Sequence, residues 1–267
     1  MKTVRSKDGT LIAFSQSGLG PPLILVDGAL CYRACGPMAP LAAVLAPHFT
    51  VFTYDRRGRG ESGDLLPYAI EREIEDIEAL IYEAGGSAFA YGISSGAVLA
   101  LEAANRGLPI EKLAIYEAPF IVDDSRAPVP ADFLEQLHRA IGSNRRGHAV
   151  RLFMKAVGVP AIFVALMRFM PAWSKLVAVA HTLPYDMSFL RDYQRGAPLP
   201  ADRWIRVVVP MLVAVGGKSP AWMRHGMRAL TEVVPHAAHT VVEGQTHMLK
   251  AKAIAPVLVE FFKGRQG

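Results

Sequence analysis

The sequence predicts an α/β fold: a mostly parallel central sheet covered by helices on both faces, with an inserted helical cap. Three observations predict it. Short apolar runs alternate with stretches of helical periodicity along most of the chain. Those runs are continuously apolar, as strands buried on both faces are. The alternation lapses once, between about residues 122 and 200, and then resumes.

The elements follow in order. Thr3–Ser6 and Thr10–Ser15 flank Asp8-Gly9, a two-residue hairpin signal. Pro21-Pro22 precedes Leu23–Val26, the first buried run, and Thr50–Tyr54 is the second. Ile70, Ile74, Ile77 and Ile81 fall at helical spacing within 68–84, and Gly85-Gly86 ends that helix. Ala88–Tyr91 is a third strand, Ser95–Arg106 a helix stopped by Gly107, and Lys112–Tyr116 a fourth strand. Beyond Pro119 only helical periodicity is visible until strand and helix return at Val207–Val215, Pro220–Val233, His239–Val242 and Ala253–Lys263. The division is therefore a sheet core over 1–121 and 202–267 with a helical insertion over 122–201.

Composition removes several classes. With 51% hydrophobic and 20% charged residues, the 267-residue chain is neither fibrous nor disordered. The net charge of +5 is scattered without a long run, so no nucleic-acid partner is expected. The most apolar window, Phe153–Trp173, is interrupted by Lys155, Pro160, Arg168 and Pro171, so no membrane partner is expected either. Cys31 and Cys35 form no CxxC pair and no zinc pattern; with no apolar leader at the N-terminus, they read as free thiols in a reducing cytoplasm. No metal or cofactor is implied, since Arg56–Gly60 lacks a phosphate-loop ending and no G-x-G-x-x-G opens a helix.

The chemistry concentrates at Gly92-Ile93-Ser94-Ser95-Gly96, a G-x-S-x-G pattern between an apolar strand and a helix. A strand turning sharply into a helix crowds its neighbours, so small residues are required two before and two after Ser94. The helix start behind it offers free N–H groups to a developing anion. A serine nucleophile needs a base, and His247 lies in the loop after the last strand, where an open α/β sheet gathers its functional groups.

With these residues in place, the chain resembles the α/β-hydrolase fold superfamily. Asp55-Arg56-Arg57-Gly58-Arg59-Gly60-Glu61-Ser62 is similar to that family's Asp-x-Arg-Gly-x-Gly-x-Ser stretch, and the elbow at Ser94 and Gly-x-x-His at His247 complete it. The resemblance implies an oxyanion hole from the backbone N–H groups of Ser95 and Ala29. Asp27-Gly28 stands where relatives carry His-Gly, and Asp27 is expected to point away from the pocket. It also implies an acid after the strand preceding the last helix pair, but Ser219 occupies that place. Some relatives put the acid one strand earlier, where this chain has Glu117. Glu117 is therefore the candidate acid; Glu243, a Ser-His pair without an acid, and a purely structural Glu117 remain open.

Ser94 forms an acyl-enzyme rather than the alkyl ester of Asp-dependent relatives, so a carboxylic ester is the expected substrate. Lyase, perhydrolase and C–C hydrolase chemistry on the same triad, or ligand binding without turnover, are the alternatives. The apolar surplus of the insertion, Met154, Phe163, Met167, Met170 and Trp173, is expected to line a cleft for a small to medium apolar molecule.

Overall fold

A computed structural model describes residues 2–264. The hairpin is β1 (Lys2–Arg5) and β2 (Leu11–Ser17), paired antiparallel around Asp8-Gly9. β3 (Pro22–Val26), α1 (Met38–Leu45), β4 (Thr50–Tyr54), α2 (Ile70–Glu83), β5 (Ala88–Ile93), α3 (Ser95–Asn105) and β6 (Ile110–Tyr116) follow. After the insertion come β7 (Met211–Gly216), α9 (Ala221–Val233), β8 (Ala237–Val242) and α10 (Ala251–Lys263). The eight strands run in the order β1-β2-β4-β3-β5-β6-β7-β8, parallel from β4 onward.

Side-chain alternation along the strands divides the core. Leu23, Leu25 and Val51 pack on one face under α1 and α10, while Ile24, Val26 and Phe52 pack on the other with α2 and α3. Helix α3 has no polar face, and its residues Ser95 to Ala104 are all buried. It is covered by the sheet on one side and by α2 and the insertion on others.

Between β6 and β7 the described chain is helical only: α4 (Phe133–Gly142), α5 (Arg146–Ala156), α6 (Ala161–Leu166), α7 (Trp173–Val179) and α8 (Leu183–Leu190), with short 3₁₀ turns between. β7 starts at Met211 rather than Val207. Pro210 has no N–H to give a ladder and holds Val209 extended, while Val207 closes a turn onto Trp204 O. Helix α1 has no counterpart among the sequence expectations.

Candidate active site

Register brings the functional loops together. Ile93 pairs with Tyr116, Tyr116 with Ala214, and Gly216 with Val242. Ser94, Glu117, the 217–219 loop and the loop bearing His247 therefore leave neighbouring parallel strands at one edge of the sheet.

Ser94 sits at φ 56°, ψ −128°, off the ordinary regions for a residue with a side chain. The turn that imposes this leaves no room beside it. A Cβ on Gly92 would lie 2.4 Å from Gly96 O, and one on Gly96 would lie 2.4 Å from Val26 O. Both glycines are thus required by close backbone approach. Gly28 borders the serine: a Cβ there would be 3.6 Å from Ser94 Oγ.

Glu117, also at positive φ (49°), is fully buried. Its Oε2 lies 2.9 Å from His247 Nδ1. Its Oε1 accepts bonds from Gly216 N at 2.8 Å and Ser219 Oγ at 2.5 Å. Ser219 therefore donates to the carboxylate instead of replacing it. The Tyr116 hydroxyl donates to Thr246 O at 2.8 Å and pins the residue before the histidine. With Nδ1 engaged by a carboxylate, the neutral imidazole carries its lone pair on Nε2. The ring is partly open to solvent, at 39% exposure.

The two candidate oxyanion amides differ in support. Ser95 is the first residue of α3, so its N–H has no partner within the helix. The Gly28–Ala29 peptide is held through its carbonyl, which accepts from Arg59 Nη1 at 2.6 Å. In a trans peptide the N–H points opposite to the C=O, so this bond turns the Ala29 N–H away from Arg59. Asp27 accepts Gly28 N through Oδ1, and its Oδ2 faces Gly36. Burial pushes Asp27 up to about pH 7, against the opposing pull of the Gly28 amide and Arg59.

The Asp55–Ser62 stretch supports this edge from below. Arg56 makes a two-pronged contact with Glu73 at 2.6 and 2.7 Å and a third with Asp186 of α8 at 2.7 Å. Arg59 reaches the other Asp186 oxygen at 2.6 Å. All four side chains are buried. Burial alone would raise the Asp186 pKa, but Arg56 and Arg59 outweigh it and hold the carboxyl below its ordinary value. Asp186 and its grip on both arginines had no signal in the sequence beyond a lone acid in an apolar helix.

The five insertion residues scatter. Met154 and Trp173 pack against the core cluster, and Met167 is half-buried. Phe163 and Met170 expose 59% and 55% of their surface. Val164 is the buried residue of α6, and Met170 lies beyond the 3₁₀ turn that follows that helix. Glu243 lies beside Gly217 and makes no hydrogen bond to His247 among the described residues. No group of three metal-ligating side chains occurs among the described residues.

The Alpha/beta hydrolase family matches residues 17–255. A solved alpha/beta hydrolase from Sphaerobacter thermophilus is 53% identical, covers 98% of this chain and 100% of its own, and superposes with a TM-score of 0.91. An enol-lactonase from Burkholderia xenovorans is similar at 20% identity over 98% of this chain and 100% of its own, TM-score 0.71. An esterase from a Rhodococcus species is similar at 19% identity over 98% of each chain, TM-score 0.66. The last two show the shared fold.

Proposed function

The chain belongs to the alpha/beta hydrolase family, and from that premise we propose that it is a serine hydrolase cleaving a carboxylic ester of a small to medium apolar substrate. The observation that carries this reading is the buried Glu117 carboxylate on His247 Nδ1, at the same sheet edge as a strained Ser94. Ser94 Oγ attacks the ester carbonyl while His247 Nε2 takes its proton. Glu117 keeps the ring in the correct tautomer and stabilises the imidazolium. The Ser95 and Ala29 amides receive the oxyanion, each worth about 3 kcal/mol in the transition state. His247 then protonates the leaving alcohol, and water repeats the sequence on the acyl-enzyme to release the acid.

The helical insertion serves in this reading as a cap. Family membership, the elbow and the acid–base contact support the reading together. The test is steady-state hydrolysis of p-nitrophenyl butyrate by wild type and Ser94→Ala. We expect turnover in the wild type and a fall in kcat of about 10⁶-fold in the variant. Equal turnover in both proteins would refute a serine nucleophile at this position.

A further inference from the structure

Helix α6 and the 3₁₀ turn that continues it (Met167–Phe169) carry apolar side chains on the wrong side for a soluble surface. Ile162, Leu166, Phe169 and Met170 recur at helical spacing and are 67%, 53%, 71% and 55% exposed, with Phe163 beside them. The charge around this face is equally one-sided. Residues 136–185 contain seven Lys and Arg and no Asp or Glu. The rest of the chain has 22 basic against 24 acidic residues, so the whole positive excess of the protein comes from this segment.

Lys155, in the last turn of the neighbouring α5, and Arg168 are exposed, and the Arg168 guanidinium lies 4.6 Å from the centre of the Phe169 ring. Among the described residues neither cation, nor Arg151 or Lys175, has a carboxylate within ion-pair distance. The local field reaches His148: burial, then Arg145, Arg151 and Lys155, hold its pKa below the usual value.

We propose that this face docks onto an anionic lipid bilayer. Ile162, Phe163, Leu166 and Phe169 would enter the headgroup–acyl boundary while Lys155 and Arg168 meet lipid phosphates. Charge complementarity selects this occupant. A two-fold dimer through the same face would set two copies of this basic, acid-free segment against each other. A nucleic acid would offer phosphates but no apolar partner for the exposed aromatic and aliphatic side chains.

The test is co-sedimentation of the full chain with vesicles of equal parts phosphatidylglycerol and phosphatidylcholine, beside vesicles of phosphatidylcholine alone. It reads binding without turnover and so stands apart from the proposed ester hydrolysis. We expect binding to the anionic vesicles only, weakened about tenfold or more between about 0.1 and 1 M salt as the screening length shortens. Lys155→Glu/Arg168→Glu should weaken it about a hundredfold, and Ile162→Ser/Phe169→Ser about tenfold or more. Circular dichroism and thermal melts of both variants, all four sites being exposed, separate lost docking from lost fold. No binding at low salt, equal binding to neutral vesicles, or undiminished binding by both folded variants would overturn the proposal. So would a concentration-dependent dimer that Ile162→Ser/Phe169→Ser abolishes.

Discussion

Glu117 touches His247, and Ser219 touches Glu117. The carboxylate reaches His247 from the end of β6, and the serine at the end of β7 donates to its far oxygen. Glu117→Gln keeps the shape but loses the anion and can present the wrong donor to Nδ1, so kcat should fall about 10⁴-fold in the p-nitrophenyl butyrate assay. Ser219→Ala removes one of two donors to Oε1 and should cost about 1–3 kcal/mol of stability in urea unfolding. A Glu117→Gln enzyme with undiminished kcat would reduce the contact to a structural one. Asp27 yields a separate expectation. Its folded pKa of about 7 lies above the unfolded value of about 4, so between these pH values the folded state binds more protons. Stability from this group therefore falls as pH rises through that window, by something on the order of 4 kcal/mol. Asp27→Asn should lack that loss, and its urea midpoint should gain on the wild type between pH 5 and pH 8. A constant gap would count against the raised pKa. Glu117 was singled out through the family resemblance, because some relatives carry the acid one strand earlier and Glu117 stands at that strand end. The Ser219 hydroxyl was not legible, because a single donor to a buried oxygen leaves no spacing or pattern.

Among the elements, α8 matters most to the site's frame, through one residue. Asp186 bridges Arg56 and Arg59, and Arg59 in turn holds the Gly28 carbonyl, so the helix is linked to the loop beside Ser94 in three contacts. Removing that charge leaves the buried Arg59 without a carboxylate and Arg56 with Glu73 alone. Asp186→Asn should therefore destabilise the fold by about 3–5 kcal/mol, read as a lower thermal midpoint. In protein that remains folded, the ester assay should show a reduced kcat rather than a raised KM, since the loosened loop carries the proposed oxyanion donor, the Ala29 amide. An unchanged midpoint would mean the network relaxes around the loss. The Asp55–Ser62 run was readable as a family motif, and its Gly58 and Gly60 take positive φ. Its ion partners were hidden, because Asp186 is 130 residues from Arg56 and only the folded chain brings them together. β4 and β5 were visible as apolar runs. α1 was not: its mixture of Ala, Leu and Pro has no polar face to mark a period.

At the scale of the whole molecule, the insertion and the sheet share one interior. Val179, Ala180, Leu183, Met187 and Leu190 belong to the same buried cluster as Ile24, Phe52 and Val213. Trp204, just before β7, packs on Phe120 and Tyr193 and donates to Glu102 of α3 at 2.9 Å. The last strand before the insertion ends at Tyr116 and the next starts at Met211, outside the boundaries expected at 122 and 201. Those boundaries do not show where cooperativity ends. The same limit applied to charge: basic residues without a run looked unremarkable, and the fifty-residue absence of acids emerged only beside an exposed apolar face. Since the buried Asp186–Arg pairs and a continuous apolar core cross the division, sheet and insertion should unfold as one unit. Calorimetry should then give a single transition whose calorimetric and van't Hoff enthalpies agree, with Asp186→Asn lowering the midpoint of that one transition. If the insertion were instead an independent body, two transitions would appear, and Asp186→Asn would separate them further. That outcome would assign the buried ion pairs to docking between two domains and remove them from the stability of a single fold.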